Sequence, residues 1–341
     1  FRQWDIGLAS RFRPTLDRPD QERQMSTTTL LGGDLGGTKT LMALVEVNRG
    51  YPEIVREKRY ASGEFDLFEE ILADFVQGYN RPVTSACLGV AGPIDGRRAK
   101  LTYLPWQLDA DALQKRFALG QLVLANDFAA AAHGIDRLSG TALFTIQDGI
   151  PRGRAPRVII GAGTGLGVAG LAWDGSRYQV IPGEGGHGGF SPQTAEQRAL
   201  ATFLAERQGR VTAEDVISGP GLARIHTFLT GNDLTPAAIG SAALAGDEEA
   251  RRTVTFWLGA FGAFAGDLAL QWLARGGVYL AGGVAAKLLA ELPLDPFVAA
   301  FRDKREHRSL AEQMPVQLIR DERLGLLGAL TLAGRQAGLT F

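Results

Sequence analysis

Two glycine-rich segments, each lying between apolar stretches of strand type, constrain the fold of this chain most. They are residues 33–40 (GDLGGTKT) and 161–167 (GAGTGLG). A dinucleotide-binding fingerprint needs its glycines between a strand and a helix, and a P-loop needs Gly-x4-Gly-Lys-Ser/Thr, so neither pattern is met. What remains is a hairpin turn, either a plain tight turn or a nest of backbone N–H groups for phosphate oxygens. Two such turns, both carrying threonine, favour phosphate.

The composition excludes several classes of function. The 36 Lys and Arg nearly balance the 37 Asp and Glu, and a formal net charge of −1 gives no basis for binding nucleic acid or an anionic membrane. The 44 glycines among 341 residues, about 13 % against a usual share of roughly 7 %, indicate backbone brought close to a ligand at several places. Cys87 is the sole cysteine, which excludes an intrachain disulfide framework and a Cys-rich zinc site and favours a reducing cytoplasm.

The apolar pattern predicts an α/β chain in which one arrangement occurs twice. The first part has strands at 29–34, 41–47, 85–91, near 99–104 and at 122–125, and helices at 64–79, 110–117 and 128–136. A polar stretch at 147–156 is the best linker candidate. Further along come strands at 157–161, 166–173 and 278–281, a long apolar stretch at 253–274 for core or dimer contact, and closing helices around 323–337. We expect two halves of mixed sheet that meet at a cleft.

The predicted domains are a small α/β domain at 25–136 plus 326–341 and a large α/β domain at 137–325. Residues 1–24 carry five arginines without a helical or strand period, so we expect a disordered or non-native N-terminal extension, with Met25 as the natural start. A basic transit peptide is the alternative, against which four acidic residues argue. No uninterrupted apolar stretch long enough to span a bilayer and no secretory signal is recognised.

Two acidic residues follow predicted strands. Beside the first glycine turn, a bare Asp34 carboxylate would repel a nucleotide, but it becomes useful if Mg²⁺ stands between them; the alternative is an aspartate that stabilises its own turn. Asp127 follows Asn126 and precedes an alanine-rich helix. A carboxylate there can accept the proton of a substrate hydroxyl that attacks a phosphoryl group, or it can simply cap the helix. Sequence alone leaves both alternatives open.

The segment 182–190 (PGEGGHGGF) leaves Glu184 and His187 as its functional side chains. A loop with so few packing groups has little reason to be ordered unless something binds it, and these two side chains suit a polyhydroxylated substrate. Zinc is the competing interpretation, but no third ligand is evident among the other histidines, which are His133, His226 and His307. For Glu214, sequence alone favours a carboxylate in the first turn of a helix, interacting with the helix dipole.

Taken together, these segments resemble the bacterial glucokinases of the hexokinase-like, actin-type ATPase superfamily. The resemblance covers nearly everything from residue 30 to residue 332. Its sharpest parts, in order, are GDLGGTKT at 33–40, LANDF at 124–128, GAGTGLG at 161–167, PGEGGHGGF at 182–190, SGPG at 218–221 and YLAGG at 279–283.

The resemblance implies two ribonuclease H-like domains with mixed sheets flanking a cleft, and ATP-dependent phosphorylation of the 6-hydroxyl of D-glucose, a cytoplasmic step of glycolysis. It implies that Asp127 is the catalytic base and that Asp34 places Mg²⁺ through water. The remaining roles are sugar contacts for Asn126, Glu184, His187 and Glu214, contacts with the ATP phosphates for Gly36, Gly37, Thr38, Gly163 and Thr164, and places under the nucleotide for Gly282 and Gly283. We expect glucose or a related hexose and a second copy of the chain as partners, and neither nucleic acid nor membrane.

Two departures bear on the function. The related ROK group carries a Cys-rich zinc motif, which a chain with only Cys87 cannot form, so the zinc-free glucokinase branch is favoured. Tyr103 stands where the family often has Asn at a sugar contact. A kinase for another hexose or an amino sugar is therefore an alternative, as is a non-catalytic sugar-sensing protein on the same fold, and ADP or polyphosphate as the donor stays open.

Overall fold

The computed structural model describes residues 27–339, which divide into two compact units. Unit 1 contains residues 27–140 and 321–339, and unit 2 is the continuous segment Thr141–Arg320. The extension expected at 1–24 lies outside the described residues.

Unit 1 combines a mixed sheet with helices on both faces. Its strands are β1 (Thr28–Leu35), β2 (Lys39–Asn48), β3 (Tyr51–Ala61), β4 (Ser85–Val90), β5 (Ile94–Asp95), β6 (Arg98–Lys100), β7 (Gln107–Asp109) and β8 (Gln121–Asn126). Its helices are α1 (Phe68–Val76), α2 (Ala110–Arg116), α3 (Asp127–Gly134) and, after unit 2 in the sequence, α11 (Leu324–Gln336).

Five strands of unit 1 form a sheet in the order β3-β2-β1-β4-β8. Strand β1 pairs antiparallel with β2 and parallel with β4, and β4 pairs parallel with β8. The central strand β1 is buried on both faces, as its continuous apolar run requires. Leu31 belongs to a core with Phe68 of α1, and Leu30 belongs to a core with Ala329 of α11.

Unit 2 has a sheet of its own and a larger helical layer. Its strands are β9 (Leu143–Gln147), β10 (Arg157–Ala162), β11 (Leu166–Trp173), β12 (Tyr178–Gly183), β13 (Gly277–Ala281) and β14 (Val316–Ile319). Its helices are α4 (Ala195–Gln208), α5 (Gly219–Thr230), α6 (Pro236–Ala245), α7 (Glu248–Trp272), α8 (Gly283–Glu291), α9 (Asp295–Arg302) and α10 (Arg308–Glu312).

The sheet of unit 2 repeats the topology of the sheet of unit 1. Its order is β12-β11-β10-β13-β14-β9, with β10 antiparallel to β11 and parallel to β13, and β13 parallel to β14. The first five strands therefore match β3-β2-β1-β4-β8 in order and direction. In each unit the glycine turn joins the central strand to the antiparallel strand beside it, so the repeat suggested by the two hairpins is a repeat of topology. The predicted α/β class with mixed sheets is confirmed.

Helix α7 accounts for the long apolar stretch at 253–274. The sequence predicts no apolar stretch that spans a bilayer, and α7 is nevertheless long and apolar enough to do so. However, 72 % of its most apolar window is buried inside the protein. Its Trp257 and Phe261 form edge-on and tilted ring contacts that continue to Phe297 of α9. The helix is therefore a core helix of unit 2.

Several predicted elements need correction. The helix expected at 64–79 is shorter, because α1 covers only Phe68–Val76, and the strand near 99–104 is reduced to β6. The edge strand β3 was missed because most of its residues are exposed, which leaves no apolar alternation to detect. The stretch at 147–156 is not a linker between the units: it lies inside unit 2, where the Ile150 N–H donates to the Gln313 carbonyl at 2.7 Å.

Candidate active site

The first glycine turn joins β1 to β2 and leaves two backbone amides available. The Gly36 N–H closes the turn by donating to the Lys39 carbonyl at 3.0 Å, and the Ser62 hydroxyl donates to the Gly36 carbonyl at 2.8 Å. The N–H groups of Gly37 and Thr38 donate to no other residue within 27–339. Of the three residues predicted to face phosphate here, Gly37 and Thr38 thus have their amides available, whereas the Gly36 amide is engaged.

Asp34 lies at the end of β1 with its carboxylate against the first turn of α11. A Cβ atom added to Gly325 would be 2.5 Å from Asp34 Oδ2 and 2.9 Å from Oδ1, so any larger residue at that helical position would displace the carboxylate. No N–H or hydroxyl group of the described chain donates to this carboxylate, and the turn is closed by Lys39 instead. The alternative that Asp34 stabilises its own turn is therefore wrong.

The Asp34 carboxylate is held in conditions that disfavour its charge. Burial, reinforced by the nearby Asp127 carboxylate and opposed by the Lys39 ammonium group, raises the pKa of Asp34 from 3.8 to about 7. A carboxylate with few compensating donors and a second carboxylate nearby is a site that a divalent cation would stabilise, because the cation supplies the missing positive charge. The donor set therefore fits Mg²⁺.

Asp127 begins α3 at the end of β8. In the sheet, Asp34 pairs with Gly89 of β4 and Gly89 pairs with Ala125 of β8, so Asp34 and Asp127 lie at one edge with a single strand between them. The N-cap of α3 is Asn126, whose Oδ1 accepts from the N–H groups two and three residues later at 3.1 and 3.0 Å. Asp127 Oδ1 accepts from the next N–H at 2.8 Å. Asp127 is thus not the helix cap, and it is half-buried.

Two contacts at this edge were not predicted. Lys39 Nζ lies 2.7 Å from Glu322 Oε2, in an ion pair that places a positive charge next to the first glycine turn. Tyr103, 63 % exposed, places its Cβ 3.0 Å from the position that a Cβ on Gly37 would take. No sequence pattern indicates the ion pair, since its partners come from opposite ends of the chain.

The second glycine turn joins β10 to β11 in unit 2. The Gly163 N–H donates to the Gly165 carbonyl at 2.9 Å, and the Gly163 carbonyl accepts from the Gly219 N–H at the start of α5 at 2.8 Å. The amide of Gly163 is engaged, as that of Gly36 is, whereas the exposed Thr164 donates its N–H to no other residue of the described range. Both turns therefore present a threonine amide and hydroxyl.

Gly282 and Gly283 follow β13, the parallel neighbour of β10. Gly282 has φ +95° and is the N-cap of α8, and a Cβ there would be 2.3 Å from the Ala162 carbonyl oxygen. Both glycines are exposed, so the end of β10 and the start of α8 offer open backbone without side chains.

The loop at 182–190 carries Glu184 and His187 on its surface. His187 Nε2 lies 3.7 Å from Glu184 Oε2, with the side chains 59 % and 84 % exposed. The expectation that this loop needs a ligand to be ordered stays a prediction, although hydrogen bonds within the chain already support the loop. Its backbone is fixed to residues 211–214, for example by the Phe190 N–H donating to the Val211 carbonyl at 3.1 Å and the Ala213 N–H donating to the Gly188 carbonyl at 2.8 Å. Across residues 27–339, no cluster of three or more His, Cys, Asp and Glu side chains could hold a metal ion.

Glu214 lies in a turn before α5 and not in the first turn of a helix. The helix begins at Gly219 and is capped by Ser218, whose hydroxyl oxygen accepts from the Gly221 N–H at 3.1 Å. Glu214 Oε2 accepts instead from the Leu166 N–H at 2.8 Å. The structure thus brings Glu214 to the second glycine turn, which the sequence did not indicate.

Comparison with known proteins identifies the family. The family model for glucokinase matches residues 31–336. A glucokinase from Trichormus variabilis is 38 % identical over 340 residues, with 90 % of this chain and 99 % of the relative covered. A glucokinase from Yersinia enterocolitica is 33 % identical over 321 residues, with coverages of 92 % and 99 %. The crystal structure of a glucokinase from an Antarctic psychrotroph aligns with a TM-score of 0.80 at 28 % identity, covering 90 % of this chain and 99 % of that one.

The chain belongs to the glucokinase family. It is an enzyme that phosphorylates glucose with ATP, and the α/β architecture with two similar mixed sheets is that of the actin-type ATPase superfamily. The family and activity that the sequence motifs implied are confirmed.

Proposed function

We propose that Asp127 is the general base that takes the proton of the glucose 6-hydroxyl as this oxygen attacks the γ-phosphate of ATP. The observation that carries this proposal lies at the start of α3. Asn126 caps the helix, and the half-buried Asp127 carboxylate lies near a second carboxylate, that of Asp34, at the edge of the sheet. A carboxylate needs no large pKa shift to serve here, because proton removal comes late in phosphoryl transfer.

We propose that the sugar is oriented by polar groups that remain available. The Asn126 side-chain carbonyl is occupied by the helix cap, so its NH₂ group would donate to a sugar hydroxyl. Glu184 and His187 are exposed on a loop fixed by its backbone, and Glu214 has one carboxylate oxygen beyond the one bound to Leu166. Hydrogen bonds to hydroxyl groups discriminate well between sugars, because a substrate that lacks the hydroxyl leaves a polar group unpaired.

The nucleotide phosphates are proposed to bind at the two glycine turns. The amides of Gly37 and Thr38 in one turn and of Thr164 in the other are open, and Gly36 and Gly163 shape the turns. Gly282 packs closely against the end of β10, and both it and Gly283, which has open space around its backbone, would lie under the rest of the nucleotide. Asp34 would hold Mg²⁺ through water, and the ion when bound neutralises charge on the phosphate oxygens.

The test of the base is Asp127→Asn, which keeps size and polarity but removes the proton acceptor. We expect glucose affinity to change little and kcat to fall by about 10² to 10⁴, measured by calorimetry and by coupled ADP release. Asp109→Asn is the matched control, since Asp109 also stands at a helix start and Asn caps helices equally well. An Asp127→Asn enzyme with nearly unchanged kcat would refute the assignment.

Because of Tyr103, a preference for another hexose or an amino sugar over glucose is kept as a second candidate. Its exposed ring lies against the first glycine turn, where the family often has an amide side chain. Rates of ADP release with glucose, mannose, fructose, galactose and N-acetylglucosamine decide between the candidates. If glucose has the highest kcat/KM, the enzyme is a kinase that prefers glucose. If another sugar has a higher kcat/KM than glucose, the second candidate is correct.

We further propose a cytoplasmic homodimer that binds neither nucleic acid nor membranes. The single, buried Cys87 suits a reducing compartment, and the net charge of −1 offers no long-range attraction to polyanions. Sedimentation at micromolar concentration tests the dimer.

A further inference from the structure

Glu214 connects two loops of unit 2 by different parts of the same residue. Its side chain reaches the second glycine turn, where Oε2 accepts from the Leu166 N–H at 2.8 Å. Its own N–H donates to the Gly186 carbonyl at 2.9 Å, in the loop that carries Glu184 and His187. The main chain is therefore fixed to one loop while the carboxylate holds the other.

The contact between Glu214 and the glycine turn is closely packed. A Cβ added to Gly165 would be 2.7 Å from Glu214 Oε2 and 3.4 Å from its Cδ. A Cβ added to Gly186 would be 2.0 Å from the Leu166 carbonyl oxygen, so the two backbones also meet directly. Gly165 and Gly186 thus leave the space that the carboxylate and the turn occupy.

We propose that Glu214 is a positioning residue for the nucleotide, in addition to its proposed contact with the sugar. By accepting the Leu166 N–H it fixes the end of the turn and so sets the direction of the Thr164 amide and hydroxyl. A hydrogen bond to a charged carboxylate is stronger than one between neutral groups. Glu214 is therefore suited to hold a Gly-rich turn in one conformation. This inference rests on the proposed binding of phosphates at that turn.

A contact with sugar alone and a positioning role predict different nucleotide affinities when no sugar is present. The assay is calorimetric titration of the full chain with Mg²⁺ and the non-hydrolysable ATP analogue AMPPNP, without glucose. We expect Glu214→Ala to raise the Kd by about five- to tenfold, as the loss of one charge-assisted hydrogen bond would. Glu214→Gln retains a carbonyl acceptor for the Leu166 N–H, so its Kd should stay within about twofold of wild type while its KM for glucose rises.

Glu184→Ala is the matched control, because Glu184 is proposed to contact the sugar but does not touch the glycine turn. It should raise the KM for glucose and leave the sugar-free Kd for AMPPNP unchanged. Gly165→Ala gives an independent variant that keeps Glu214 but pushes its carboxylate away from Leu166. It should weaken AMPPNP as Glu214→Ala does, and it should add nothing when both substitutions are combined.

The inference is overturned if Glu214→Ala binds AMPPNP as tightly as wild type in the absence of sugar, or if Gly165→Ala and Glu214→Ala weaken binding additively. Failure of the proposed function has a different signature. In that case wild-type protein does not bind AMPPNP at all, or Thr164→Gly binds AMPPNP with the same Kd as wild type. A melting curve for each variant separates loss of binding from loss of folding.

Discussion

The carboxylate of Asp34 makes the stability of unit 1 depend on pH in an unusual direction. Because its pKa is about 7 in the folded protein, whereas the ordinary pKa of an aspartate is 3.8, the folded state binds a proton more tightly than the unfolded chain. Stability from this group is therefore fully present below about pH 4 and is lost as the pH rises through 7. Asp34→Asn replaces the carboxylate by an amide that does not titrate and removes this loss.

The magnitude follows from the shift. Three pKa units correspond to about 4 kcal/mol, and because the side chain is only half-buried we discount this to about 2 kcal/mol. Part of this loss occurs below pH 5, so between pH 5 and pH 8 the free energy of unfolding should fall by about 1 kcal/mol more in wild type than in Asp34→Asn. At pH 8 the variant should be the more stable protein, although it lacks the carboxylate proposed for Mg²⁺ and should have little activity.

Urea denaturation followed by circular dichroism at pH 5, 6, 7 and 8 measures the difference. Asp66→Asn is the control, since Asp66 is exposed in the same unit and its replacement should leave the pH dependence of wild type intact. If wild type and Asp34→Asn lose stability in parallel from pH 5 to pH 8, the argument from burial and from the Asp127 charge is refuted.

Two further substitutions test the same edge of unit 1. Gly325→Ala forces the Asp34 carboxylate away from α11, so kcat/KM for MgATP should fall on the order of 100-fold. Little stability should be lost, because alanine favours the helix. In an Asp34→Ala background the same substitution should change no kinetic constant, and a lower kcat/KM there would show that the contact with Asp34 is not the cause. Tyr103→Asn should raise the preference for glucose over mannose and N-acetylglucosamine by about tenfold, if the side chain at this position reaches a sugar hydroxyl; unchanged kcat/KM ratios in the sugar panel would exclude Tyr103 from specificity.

The features predicted correctly from sequence are local ones. The glycine hairpins and the start of α3 are set by residues within a few positions of each other, so turn composition and apolar period reveal them. The edge strands of the two units, β3 and β12, were missed because many of their residues are exposed and carry no alternation.

The contacts that give the candidate site its chemistry join distant parts of the chain. Gly325 meets Asp34 across almost the whole sequence, and Glu214 reaches Leu166 over 48 positions. A glycine inside an otherwise helical pattern, as at Gly325, does signal a packing or functional reason, but it does not say which residue it accommodates. Capping by Asn126 in place of Asp127 was likewise undecidable, since both residue types cap helices equally well.

Unit 1 is interrupted in the sequence by the whole of unit 2, and its last helix, α11, is translated only afterwards. Domains generally form in the order in which their residues leave the ribosome. Until α11 emerges, the face of the sheet that it will cover, including Leu30 and the thiol of Cys87, has no partner. The nascent protein therefore carries an open apolar surface and an accessible thiol for as long as the ribosome takes to make unit 2.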